Sequence, residues 1–67
     1  MVEFGEQLRK AREAKGMTQQ SLAEQLYVTR QSVSRWECGL SDPSTTNLMA
    51  LAKLFNMTPE DLLKEAQ

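Results

Sequence analysis

The dipeptide Tyr27-Val28 constrains this chain more than any other stretch of it. Thr18 is a natural N-cap for a helix ending near Leu26, and Thr29 is the next N-cap, opening a helix through about Trp36. The residues left between them are too few for anything but a tight turn. At ~100° per residue, Leu22, Ala23 and Leu26 supply the inward stripe of the first helix. In the second, Val33 and Trp36 share one side, and the Thr29 end leans the same way. Its opposite side carries Gln31 and Arg35 at i and i+4, with Ser34 beside them and Arg30 on the flank.

The flanking segments read as what holds that pair still. From about Glu3 to Lys15, Phe4, Leu8 and Ala11 recur at i, i+4 and i+7, the stripe of an amphipathic helix. Gly16 stops it, and Lys15 suits the negative end of its dipole. Gly39 ends the third helix and a loop follows through Pro43. Ser44 or Thr45 then caps a helix to about Phe55, with Leu48, Leu51, Ala52 and Phe55 inward, the strongest amphipathic pattern in the chain. Asn56-Met57 break it. Thr58-Pro59-Glu60-Asp61 is a dense start signal: an N-cap, proline at the first helical position, then acids in the first turn. The last helix should run to about Glu65, with Leu62 and Leu63 inward. No period-2 alternation, hairpin turn or internal repeat appears. The sequence predicts an all-α fold, a compact five-helix bundle forming one domain over residues 1–67.

Composition narrows the function. At 40% hydrophobic and 25% charged residues, this is an ordinary globular chain, and at 67 residues a small one. The longest apolar run, Leu48 to Ala52, falls far short of the roughly 20 residues of a membrane span. The N-terminus lacks a basic-then-apolar signal, so the expected location is the cytoplasm. With the single cysteine Cys38 and no histidine, the chain cannot build an internal disulfide, a Cys–His nucleophile or a Cys/His metal site. Glu60 and Asp61 sit where helix-capping acids belong, and no Gly-rich loop is present to form a pocket. The expectation is a binding protein rather than an enzyme, without metal, cofactor, membrane contact or evident small-molecule ligand.

The outer face of the third helix suits DNA. An α-helix fits the major groove of B-DNA, where Gln and Arg side chains can read base edges. Gln19 and Gln20 occupy the first turn of the preceding helix, where free backbone N–H groups and a side-chain amide suit a phosphate. They would serve equally as surface filler, and a polar helix face can simply be solvated. The capped helix and short turn before it favour DNA. A net charge of −1 argues the other way, since phosphate neutralisation usually calls for a basic protein. Distribution matters more than the sum: six of the eight basic residues, Arg9, Lys10, Arg12, Lys15, Arg30 and Arg35, precede Glu37. After Asn56, Glu60, Asp61 and Glu65 face a single Lys64. Arg9, Lys10 and Lys15 fit either phosphate contact or a solvated face.

Taken together, Met17-Thr18-Gln19, Leu22-Ala23, Val28-Thr29-Arg30-Gln31, Val33-Ser34-Arg35-Trp36-Glu37 and Gly39, with the Pro43-Ser44 loop and Leu51-Ala52 through Phe55, carry a resemblance. In this order and spacing they resemble the Cro/CI-type helix-turn-helix domains, or XRE family, whose fold is lambda repressor-like. The resemblance runs from Leu8-Arg9 to Leu62-Leu63 and implies that helices two and three form a DNA-binding unit. It gives Gln19 a grip on backbone phosphate, with Gln20 and Thr29 as further phosphate contacts. Arg30, Gln31, Ser34 and Arg35 would read bases, Gln31 pairing with adenine and Arg30 or Arg35 with guanine, each bidentate pair worth roughly 1–3 kcal/mol of discrimination. The loop after helix three would bring Cys38 and Leu40 near DNA through their backbones. Arg12 would pair with Glu37 to fix the angle of helix three, with Trp36 as further structural support.

Two residues depart from the family pattern. Tyr27 stands where glycine is usual, in a turn that often needs positive φ, so strain of order 1–3 kcal/mol is expected there. Phe4, Tyr27 and Trp36 are expected to pack in the core or turn rather than stack on bases. Cys38 is unusual after the glutamate, and a redox role would lack a second cysteine. The implied function is a sequence-specific transcriptional regulator, a repressor, reading the major groove with helix three (about 29–36). It would act as a homodimer on a palindromic site in double-stranded DNA. Helix five, the Phe55–Met57 corner and Met1-Val2 are the candidate dimer surfaces. Rival functions are an antitoxin-like interaction protein that masks a partner and autoregulates, or the DNA-binding module of a longer sensor.

Overall fold

The structure is a computed structural model that describes residues 4–63, and within them it contains five helices and no strand. They are α1 (Phe4–Ala14), α2 (Gln19–Leu26), α3 (Arg30–Glu37), α4 (Thr45–Leu54) and α5 (Pro59–Leu63). The Met1-Val2 part of the expected dimer surface and the expected last turn of α5 to Glu65 lie outside the described residues. Each predicted N-cap is in use. Thr18 Oγ1 accepts from the Ser21 amide at 3.0 Å while Ser21 Oγ returns a bond to the Thr18 N–H at 2.9 Å, a reciprocal capping box. Thr29 accepts from the Ser32 amide, Ser44 rather than Thr45 from that of Asn47, and Thr58 from that of Asp61. The turn after α2 is made by Tyr27 in the left-handed region, φ 58° and ψ 39°. Phe55 caps α4 instead of extending it.

The core is drawn from all five helices: Leu8, Leu22, Ala23, Val33, Trp36, Leu51, Ala52, Phe55 and Leu62. Leu8, Leu22, Leu51 and Leu62 are fully buried, each a stabilisation of roughly 1.5–3 kcal/mol relative to exposure. Phe4, Ala11, Leu26 and Leu48, read as inward-facing, lie at its edge and are partly buried. Leu63 departs from expectation. It is 52% exposed, because a step of ~100° past Leu62 carries it off the core side. Tyr27 departs further: at 95% exposed it packs in neither core nor turn.

Gly5 has a structural role that apolar periodicity does not signal. It is buried in the first turn of α1, and a Cβ there would lie 2.5 Å from the Glu37 carbonyl oxygen and 2.6 Å from that of Trp36. The start of α1 therefore rests directly on the backbone end of α3, an approach that only a residue without a side chain permits.

Candidate nucleic-acid interface

α2 and α3 pack on one another, and α1 also packs on α3. Val33 and Trp36, 0% and 5% exposed, root α3 in the core, and the helix turns its opposite face outward. On that face Gln31 and Arg35 are exposed and have no partner among the described residues, and Ser34 is half-buried beside them. Arg30 is also exposed but is not free: its Nη1 donates to Gln19 Oε1 at 3.4 Å, drawing it toward the N-terminus of α2.

Gln19 itself belongs to a network that sequence spacing does not signal. Its Nε2 donates to Glu37 Oε1 at 3.0 Å. The same carboxylate takes two bonds from Arg12, Nε to Oε2 at 2.7 Å and Nη2 to Oε1 at 3.1 Å, while Nη1 donates to the Met17 carbonyl at 2.8 Å. The fork-to-fork pair is largely buried, with side-chain exposures of 11% and 4%. The hydrogen bond to Glu37 holds the Arg12 guanidinium above its ordinary pKa, against the opposing pull of burial, so it stays charged. Arg12, Glu37 and Trp36 thus hold the supporting places expected of them, and one carboxylate ties together α1, the start of α2 and the end of α3.

The remaining expected phosphate contacts are placed as follows. Gln20 is exposed, with its amide bonded to Glu24 at 3.1 Å one turn along α2. The Thr29 hydroxyl is engaged in capping and shares a 3.0 Å bond with Ser32 Oγ. Cys38 is a free, exposed thiol and Leu40 is 66% exposed. Both are expected near DNA through their backbones, and their N–H groups are already engaged in closing α3: Cys38 donates to Ser34 and Leu40 to Arg35, at 3.0 and 2.9 Å.

The basic face is narrower than the sequence distribution implies. Arg12 is committed to Glu37, Lys10 lies 3.6 Å from Glu6 along α1, and Lys15 Nζ donates to the Leu54 carbonyl at the end of α4. Arg9 and Arg35 remain without partners among the described residues. Among those residues no helix is long and apolar enough to cross a membrane, and no three His, Cys, Asp or Glu side chains gather around a possible ion.

The Helix-turn-helix family profile matches residues 8–62. The chain is 44% identical over 62 residues to the HTH-type transcriptional activator BcrR of Enterococcus faecalis, covering 92% of this chain and 30% of that protein. It is 42% identical over 60 residues to the HTH-type transcriptional regulator DicA of Escherichia coli, covering 90% and 44% respectively. The chain thus spans less than half the length of these two curated relatives. Among solved structures, that of the P22 c2 repressor protein in complex with a synthetic operator superposes with a TM-score of 0.90. Sequence identity is 31%, over 96% of this chain and 97% of that one.

Proposed function

Because the chain belongs to the Cro/CI-type helix-turn-helix family, we propose that it is a sequence-specific DNA-binding transcriptional regulator that inserts α3 into the major groove. The observation that carries this is the outer face of α3, where Gln31 and Arg35 stand exposed one turn apart, opposite the buried Val33 and Trp36. Arg35 suits guanine and Gln31 adenine, and half-buried Ser34 adds a short contact. Gln19 keeps one amide hydrogen for a phosphate after its bond to Glu37, in an orientation fixed before DNA arrives. The function is binding, not catalysis, and the place of action is the cytoplasm. The relatives include a named activator as well as a named repressor, so repression is not inherent in the fold.

Binding as a homodimer would match the two-fold symmetry of a palindromic site. Of the candidate dimer surfaces, the Phe55–Met57 corner is the weaker, since Phe55 is buried in the core. α5 is the stronger: its exposed Leu63 borders an open hollow of about 230 Å³, also lined by Phe4, Asp42, Pro43 and Leu48. A second role, as the DNA-binding module of a longer regulator, is favoured by relatives that extend well beyond the shared stretch.

Selection from a random DNA pool at fixed moderate salt tests the proposal. The wild type is expected to enrich one motif, Gln31→Ala to relax it at one base pair, and Gln19→Ala to weaken binding about equally on all sequences. Enrichment of no motif would reject DNA reading and favour a protein-masking role.

A further inference from the structure

We infer that Tyr27 is a DNA contact, its ring against the sugar–phosphate rim of the groove that α3 enters and its hydroxyl donating to a phosphate oxygen. This rests on the function proposed above. Four described residues occupy the left-handed backbone region, each within two residues of a helix end: Gly16 (φ 69°) after α1, Tyr27 (φ 58°) after α2, Gly39 (φ 76°) after α3 and Asn56 (φ 58°) after α4. Three of these are the residue types that adopt this conformation readily. At the fourth, the only one that leads into α3, the chain carries a bulky aromatic that strains the same backbone.

The backbone there is held by cap bonds, the Tyr27 N–H to Glu24 and the Val28 N–H to Ala23, which any residue would make; the tyrosine side chain itself offsets none of the strain. The side chain is 95% exposed, and its hydroxyl has no hydrogen-bond partner among the described residues. A buried aromatic would contribute packing; this one contributes none. Its position explains what it is for. It lies two residues before Thr29, the N-cap of α3, and so at the end of the helix that presents Arg30 and Gln31. The other large exposed apolar side chains, Leu40, Met49 and Leu63, sit in the loop after α3, on α4 and on α5. Among the described residues, α2, α3 and the turn between them thus expose no second large apolar side chain beside Tyr27 of the kind that would build a patch for a protein partner. A phenol suits the edge of a nucleic acid groove instead: its ring covers sugar, its hydroxyl donates to phosphate, and only two side-chain torsions are fixed.

The test uses the 67-residue chain, its selected operator and a mismatched duplex, with Tyr27→Gly and Tyr27→Phe. Both variants are expected to lose roughly tenfold in affinity, the scale of one hydrogen bond to a charged acceptor. The loss should be equal on operator and mismatched DNA, and the salt slope unchanged, because a neutral phenol releases no counterion. Tyr27→Gly should at the same time raise the melting temperature, while Tyr27→Phe leaves it where it is. Wild-type affinity in Tyr27→Gly would overturn the inference, as would a lowered melting temperature, which would make the tyrosine a structural residue. An affinity loss accompanied by weaker self-association in sedimentation would assign Tyr27 to a protein contact and also overturn it. A wild type that enriches no motif would reject the DNA proposal itself.

Discussion

Gly5→Ala isolates the contact that seats α1 on the end of α3. The added methyl carbon would lie 2.5 Å from the Glu37 carbonyl oxygen, where ordinary contact begins at 3.4 Å, so the two backbones must part by about 0.9 Å. Both nearest atoms are main-chain carbonyl oxygens, and no rotamer change moves them. Overpacking of this kind costs typically 1–3 kcal/mol. Alanine's better helix propensity returns at most about 1 kcal/mol, and less at the second residue of a helix. The net expectation is a loss of about 1–2 kcal/mol, which in a domain of this size lowers the melting temperature by roughly 5–15 °C. Circular dichroism melts of the two proteins, run in parallel with urea titrations, measure it. The displacement also tilts the end of α3 where Arg35 and Glu37 sit, so operator affinity should fall even at temperatures where the variant is folded. A variant that melts at or above the wild-type temperature would refute the packing and the role given to Gly5.

Other perturbations follow from the same geometry. Glu37→Ala leaves Arg12 largely buried without its carboxylate, a loss of about 3–5 kcal/mol that consumes most of the stability of so small a domain; the double variant Arg12→Met/Glu37→Leu should recover much of it in urea titrations. Lys15→Ala removes a bond to the last carbonyl of α4 and should lower the melting temperature by no more than ~5 °C without changing the salt dependence of DNA binding; a shallower salt slope would instead make Lys15 a phosphate contact. Arg30→Ala should reduce that slope by about one with little change in base preference, because Arg30 is drawn to Gln19 at the start of α2; lost discrimination at one base pair with an unchanged slope would return it to base reading.

The parts of this molecule legible in its sequence are those whose chemistry is local. Thr18, Thr29, Ser44 and Thr58 cap helices through their own next turn, so each announces its helix within a few residues. The tight turn at Tyr27-Val28 was likewise legible from the short link between capped helices, while its positive φ was implied by the family resemblance, in which glycine is usual at that position. Contacts between distant segments were not. Gln19 meets Glu37 across 18 positions, and neither residue type dictates the other. Gly5 carries no hydrophobicity, so no periodicity could mark it as a point of close backbone approach. Charge was misleading in a specific way: Arg12 and Lys15 count toward a basic N-terminal half, yet both point their charge into the protein's own acceptors.

That inward use of charge bears on how an acidic chain could present the DNA-reading face proposed for it. Glu37 is the pivot. Its Oε2 accepts from Arg12, its Oε1 from both Arg12 and Gln19, and Gln19 in turn accepts from Arg30. One buried carboxylate therefore sets where α1 sits, which way the Gln19 amide points and where Arg30 rests before any DNA is present. Ordering these long side chains in advance removes an entropy cost of about 0.5–1.5 kcal/mol each that a flexible basic surface would meet on binding. Fewer free cations also mean less non-specific attraction to phosphate, which is the term that competes with operator recognition across a genome. Of the six cations that precede Glu37, Arg9 and Arg35 are those without internal partners among the described residues, and Arg35 lies on the helix face that would read bases. On the proposed function, the molecule would favour specificity over bulk affinity, with most of its N-terminal charge committed to holding α3 in place.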